Sequence, residues 1–308
     1  MKPKVLVLKA DGTNCDEELY FAFKFAGGAP KIVHINELRN KKENLKNYNI
    51  LAIPGGFSYG DDIVSGKILA IELTSFFSEE LKKFIQRTNT LTIGICNGFQ
   101  VLIRTGILPF DTMHKMQATL TNNDSGRFEC RWINLRIEPN SKCVFLNKEN
   151  TSDKSSTFFP RSIELTWKKN DANPRSKLRS FEKVLDKTPS RWPNGLLEGE
   201  TISLQVAHGE GKFFAPKTII EKVEKEKLVT FRYVDSLGRP TQKYPDNPNG
   251  SLNAIAGICD TTGRALGLMP HPERFVRKEH HPNWRRIAKS LPDGLPIFEN
   301  MVDYVKKI

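Results

Sequence analysis

No Cys-x-x-Cys pair occurs among the five cysteines of this 308-residue chain, which stand at positions 15, 96, 130, 143 and 259. Their odd number and their scatter argue against a disulfide frame and against a zinc site, and read as free thiols in a reducing cytoplasm. Long apolar runs are missing too. Nothing approaches the length of a membrane span, and the opening, Met1 to Leu8, is too short for a signal peptide and reads as a first strand at Val5–Leu8. There is no P-loop: five residues separate Gly60 from Gly66 where four are required, and Ile68 stands where a Ser or Thr would hold magnesium. ATP binding by this chain is therefore not expected.

Acids are in short supply, 35 against 47 lysines and arginines, for a net charge of +12. Between residues 139 and 195 twelve basic residues face six acidic ones, and from residue 274 to the end eight face four. Few aromatics are interleaved there to act as base-stacking platforms. The excess reads as a solvated face or a docking surface for an acidic partner, with no nucleic acid and no membrane among the partners. A hydrophobic content of 38% and 19 phenylalanines are enough for a full core.

What the chain does have is an alternation of strands and helices. Leu19, Ala22, Phe23 and Ala26 fall at helical spacing, and Gly27-Gly28 stops that helix. Ile32–Ile35 and Asn49–Ile53 read as the second and third strands. This order predicts βαβ units and an open, mostly parallel sheet flanked by helices, with sites at the carboxyl ends of strands. Further strands are expected at Trp132–Ile137, Ile202–Val206, Leu228–Val234, Ala254–Cys259 and Ala265–Met269, with Gly263 turning the last two into a hairpin. Leu295–Val305 reads as a terminal helix. The Ser-, Lys-, Asn- and Pro-rich stretch from about 149 to 199, with a short helix at Ser180–Leu185, reads as an insertion in a single domain spanning 1–308.

The chemistry centres on one strand-to-helix junction. Leu91–Ile95 is β-branched and apolar, Cys96 follows at once, and Asn97 to Ile103 has the look of a helix start. Gly94 and Gly98 flank the cysteine, giving Gly-x-Cys-x-Gly, the cysteine form of the nucleophile elbow, where a Cβ at either glycine would clash across the turn. The turn aims the sulfur at the positive end of the helix, a setting that favours thiolate. The alternative is a buried packing cysteine. Upstream, Pro54-Gly55-Gly56-Phe57 offers bare backbone N–H groups at another strand end, or else only a structural turn.

A cysteine nucleophile needs a base and a group to orient it. Two His-x-Glu pairs qualify, His208/Glu210 and His271/Glu273, since residues two apart in extended chain share a face. The second follows a strand and is braced by Pro270 and Pro272; the first is flanked by glycines. Spacing alone leaves both open. His34, His114, His280 and His281 have no such setting and read as surface or packing residues.

Together these motifs resemble the class I glutamine amidotransferases. The wording of Pro54-Gly55-Gly56-Phe57-Ser58-Tyr59-Gly60-Asp61, of Gly94 to Gln100, of Ala207 to Phe213, of Met269 to Arg274 and of Gly12 to Asp16 resembles, more narrowly, the glutaminase subunits of phosphoribosylformylglycinamidine synthase. The resemblance covers most of residues 1–140 and 202–308 and leaves the 149–199 stretch unexplained. It implies a flavodoxin-like amidotransferase fold, Cys96 as nucleophile, His271 as acid/base and Glu273 as its orienter. It further implies an oxyanion hole from the Gly55–Gly56–Phe57 backbone and the N–H of Asn97, and Gln100 at the glutamine site. His208 and Glu210 are expected at a subunit interface or on the ammonia path, and Cys15 as a packed thiol. No metal or cofactor is expected in this chain. ATP and magnesium belong, on this reading, to a synthetase partner (PurL), joined by a small subunit (PurS), and the setting is de novo purine biosynthesis. Two competing readings are a stand-alone Cys-elbow hydrolase of the DJ-1/PfpI type and a degenerate amidotransferase kept as a binding module.

Overall fold

The computed structural model describes residues 1–61, 63–144, 146, 199–286 and 292–308. The 149–199 insertion and its Ser180–Leu185 helix lie, but for residue 199, outside the described residues.

Strands β1 (Lys4–Lys9), β2 (Ala29–His34), β3 (Ile50–Ile53) and β4 (Leu91–Ile95) alternate with helices α1 (Asp16–Phe25), α2 (Ile35–Arg39), α3 (Lys67–Phe76) and α4 (Ser78–Gln86). Helix α5 (Asn97–Arg104) follows β4. Every residue of β3 and β4 is buried, as expected of strands covered on both faces. Ile35, read from sequence as the end of a strand, instead begins α2. His34 caps that helix: its Nδ1 accepts from Asn36 N–H, while Glu37 returns to the His34 N–H.

The later chain supplies β5 (Thr119–Thr121), β6 (Glu129–Ile137), β7 (Thr201–His208), β8 (Lys212–Phe214), β9 (Val229–Val234), β10 (Ile255–Cys259) and β11 (Ala265–Leu268). Helices α6 (Lys217–Lys225) and α7 (Leu295–Lys307) accompany them. The main sheet has nine strands in the order β2-β1-β3-β4-β11-β10-β9-β6-β7, and β5 pairs with β8 apart from it. From β2 to β11 the neighbours are parallel; from β11 to β7 they are antiparallel. The hairpin expected around Gly263 is the antiparallel β10–β11 pair, in which Gly257 faces Leu268.

One consequence fixes the site. The carboxyl ends of β1, β3, β4 and β11 lie side by side, because those strands are adjacent and parallel. The loops that leave them carry Gly12 to Cys15, Gly55 to Phe57, Cys96 and His271. The edge strand β7 also reaches this end: His271 N–H donates to Gln205 carbonyl oxygen at 2.8 Å in an isolated antiparallel bridge.

Candidate active site

The elbow forms as its glycines require. Cys96 adopts φ 52°, ψ −106°, a left-handed backbone that a non-glycine residue holds only when its surroundings impose it. A Cβ on Gly94 would lie 2.4 Å from the Gly98 carbonyl oxygen, and one on Gly98 would lie 2.0 Å from that of Ile53. Strand β4, the turn and α5 therefore close on one another through bare backbone. From this turn Cys96 Sγ faces the carbonyl oxygen of Ala207, at 3.7 Å.

Two loops interlock beside it. Gly12 sits so close under Phe57 that a Cβ would meet the Phe57 carbonyl oxygen at 2.0 Å. Phe57 N–H donates to the Gly12 carbonyl at 3.0 Å, which removes it from the four backbone donors expected for an oxyanion. Among the described residues the N–H groups of Gly56 and Asn97 have no acceptor, the latter as the first residue of a helix. The Asn97 side chain ties the loop to α5: its Oδ1 accepts from Ser58 Oγ at 2.7 Å and its Nδ2 donates to Gln100 Oε1 at 3.0 Å. Gln100 Nε2 in turn donates to the Glu210 carbonyl at 2.6 Å. Both ends of the Gln100 amide are thus engaged by protein, so it braces the wall of the site.

The two His-x-Glu pairs separate clearly. His271 Nδ1 and Glu273 Oε1 are 2.6 Å apart, with both side chains buried. Burial opposes charge on His271, but the Glu273 carboxylate and the Cys96 sulfur overcome it and hold the imidazole well above its usual pKa. His208 makes no such pair. It sits in an asparagine cage, with Nδ1 at 3.1 Å from Asn123 Oδ1 and Nε2 at 3.5 Å from Asn249 Nδ2. That pattern assigns the proton to Nδ1 of a neutral ring. Burial, helped by the charge of His271 nearby, pushes the His208 pKa down to about 3. Glu210 contributes its main-chain carbonyl to Gln100, as above.

These groups share one open cavity of about 750 Å³, lined by Cys96, His271, Gly56, Phe57, Gln100 and His208 among others. Asp61 and Glu210 add acids to its wall. Asp61 is half-buried, and burial raises its carboxyl above the usual range, although Ser65 Oγ donates to it at 2.9 Å. Sequence reasoning did not single out Asp61, nor Arg274, whose Nη2 donates to Cys15 Sγ at 3.2 Å. Both stand inside recognised motifs, and that was the only signal available. Cys15 is a buried free thiol, as expected, but it also lines the cavity.

Comparison with known proteins agrees with this geometry. The profile of the CobB/CobQ-like glutamine amidotransferase domain matches residues 2–156 and 172–305. A phosphoribosylformylglycinamidine synthase subunit PurQ from Dehalococcoides mccartyi is 39% identical over 308 residues, covering 100% of this chain and 99% of its own. The chain belongs to the PurQ family. A Methanococcus maripaludis PurQ is 35% identical over 319 residues, covering 99% of this chain and 98% of its own. A solved structure of PurLQS from Thermotoga maritima superposes with a TM-score of 0.64 at 27% identity, with 99% of each chain covered. PurQ membership sets aside the stand-alone hydrolase; the mostly parallel sheet expected from the alternation of strands and helices, and the amidotransferase fold implied by the resemblance, are the fold observed.

Proposed function

We propose that this chain is the glutaminase subunit of a phosphoribosylformylglycinamidine synthase, and that Cys96, His271 and Glu273 carry out the hydrolysis. The observation that carries the assignment is the buried His271–Glu273 pair, 2.6 Å apart, facing a cysteine on a nucleophile elbow. Cys96 Sγ attacks the glutamine carboxamide carbon, and the carbonyl oxygen becomes an oxyanion received by the N–H groups of Gly56 and Asn97. One such donor is worth about 3–4 kcal/mol in related acyl transfers. His271, held protonated by Glu273 and the Cys96 sulfur, gives its proton to the departing nitrogen. The C–N bond breaks, ammonia leaves, and a glutamyl thioester remains on Cys96. His271 then takes a proton from water, whose oxygen attacks the thioester. Glutamate departs and the thiol is restored.

Asn97 and Gln100 act as positioning residues, since their side chains bond to protein and hold the loops in register. Asp61 and Glu210 suit the ammonium of a bound glutamine. Of the two places expected for His208, its burial and neutrality favour the ammonia path over an exposed interface. The ammonia passes to a PurL-type synthetase assembled with a PurS-type small subunit. That partner holds ATP and magnesium and makes formylglycinamidine ribonucleotide, and this chain needs no cofactor of its own. Among the described residues no helix is long and apolar enough to cross a membrane, and a cytoplasmic setting suits a purine-biosynthetic enzyme.

The test is a reconstitution with synthetase and small subunits. Cys96→Ala is expected to abolish glutamine-dependent amidine formation and leave ammonia-dependent formation intact, because the synthetase site is separate. Glutamine-dependent synthesis surviving in that variant would refute the assignment.

A further inference from the structure

The five cysteines have no metal-binding spacing in sequence, yet the fold brings one of them to the catalytic histidine. Single ligand atoms of Cys15, His271 and Glu273 lie within 4.8 Å of one another, and all three residues are buried. A second cysteine borders the same space. A Cβ built on Gly55 would be 3.3 Å from Cys15 Sγ, 3.3 Å from Cys96 Cβ and 2.8 Å from His271 Cε1, so Gly55 leaves open the space where these three side chains converge. Glu273 occupies His271 Nδ1, while Nε2, on a ring only 1% exposed, has no aligned hydrogen-bond partner among the described residues.

We infer that this convergence is an inhibitory zinc site, in which a thiophilic divalent cation is held by Cys15 Sγ, Cys96 Sγ and His271 Nε2 and closes the glutaminase centre. The inference rests on the placing of Cys96 and His271 at the reacting atoms. Two sulfurs and one imidazole nitrogen are a donor set that zinc accepts, with a fourth position left to water from the cavity. Tetrahedral zinc needs such ligand atoms about 3.3–3.8 Å apart. Cys15, whose ligand atom lies within 4.8 Å of that of His271, and Cys96 must draw in toward the imidazole to hold it. Glu273 stays on Nδ1 as the carboxylate partner that zinc-bound imidazoles ordinarily have.

Charge also balances. Coordination releases two protons to solvent, one from the Cys15 thiol and one from the Cys96–His271 pair, whose imidazolium gives up its Nε2 proton to bind the metal. The two thiolates and the Glu273 carboxylate then match the two charges of the metal and the one on Arg274, which already donates to Cys15 Sγ. Zinc neither gains nor loses electrons, so no oxidant is involved. Cys15 has no step in glutamine hydrolysis; on this reading its thiol makes the nucleophile sensitive to free zinc.

The probe is zinc alone, added to the full-length reduced chain in competition with a chromophoric chelator. Cobalt serves as a spectroscopic substitute, and a diazo ketone analogue of glutamine reports on Cys96. One zinc per chain is expected, together with protection of Cys96 from labelling and intense thiolate-to-cobalt absorption. Cys15→Ala should weaken zinc binding at least about tenfold, the scale of losing a group that supports a metal site. It should also abolish the protection, while metal-free labelling keeps its rate. Equal zinc affinity in Cys15→Ala and the parent chain, or no binding at all, would overturn the inference. If the buried Cys15→Ala variant does not fold, labelling the parent chain at Cys96 before adding cobalt decides: the thiolate absorption must fall sharply, and its persistence sinks the site. Failure of the metal-free chain to label at all would count against the nucleophile assignment instead, with zinc binding still read by the chelator.

Discussion

Two histidines, each two residues before a glutamate, differ in what touches their ring nitrogens. Sequence spacing could not choose between them, because what surrounds each ring comes from distant chain: Asn123 and Asn249 hold the nitrogens of His208, whereas Cys96 stands near His271 and leaves Nδ1 to its local partner Glu273. The prolines beside His271 favoured the pair in which the structure finds imidazole and carboxylate in contact, for a physical reason, a backbone held in one geometry. The difference has a consequence for stability. The His208 pKa falls from the ordinary 6.5 to about 3 on folding, so its neutral form contributes stability above pH 6.5 that is lost as pH falls. Below that point the unfolded chain takes up a proton that the folded chain refuses. The expected acid-side slope is about 1.4 kcal/mol per pH unit between roughly pH 6 and pH 3. Denaturant unfolding of the parent chain and of His208→Gln across that range should show the slope reduced in the variant; an unchanged slope would mean that His208 is not the group responsible. In the glutaminase assay, His271→Ala should lower kcat by about two orders of magnitude or more, the usual loss for a general acid/base.

Element by element, the parallel half of the sheet was legible. Short apolar runs ending in glycine or proline, separated by helical periodicity, placed β1, β3, β4, α1 and the elbow close to where they occur. The antiparallel half was legible as strands but, apart from the β10–β11 hairpin, not as pairings, since register is set by contacts and not by alternation. Hence β7, read as Ile202–Val206, in fact runs to His208 and carries Gln205 to the backbone of His271. Cys15 beside His271 was likewise hidden, because the contact of Arg274 with Cys15 spans 259 positions. The elbow makes a sharp prediction at this scale. Gly98→Ala places a Cβ 2.0 Å from the Ile53 carbonyl oxygen, a backbone atom that cannot step aside. It should cost about 1–3 kcal/mol, the range for overpacking, and reduce glutaminase activity with it. Gly209→Ala, whose nearest neighbour would be Phe128 Cδ2 at 3.9 Å, is the control. Its denaturant midpoint should stay near that of the parent chain; similar losses in both variants would show that the elbow has no special tightness.

At the scale of the molecule, the charge excess and the 149–199 stretch are what the glutaminase chemistry does not use. The chain leaves for that stretch after β6 and returns before β7. The β6–β7 register pairs Arg136 with Thr201 at that end and Glu129 with His208 at the other. Arg136 and Thr201 therefore lie at the end of the β6–β7 ribbon away from His208. Replacing residues 149–198 by a short linker should leave glutaminase turnover near the parent level and weaken assembly with the synthetase, measured by co-elution. Loss of turnover with the fold intact would contradict a docking role.

The central claim, that Cys96 is acylated and His271 moves the proton, is tested most directly by single-turnover mass spectrometry of acid-quenched protein. The parent chain and His208→Ala should each carry a glutamyl group on the Cys96 peptide, whereas His271→Ala should form it at least about a hundredfold more slowly. A thioester formed at the parent rate in His271→Ala and missing in His208→Ala would exchange the roles of the two histidines, and acylation at any residue other than Cys96 would contradict the account at its root.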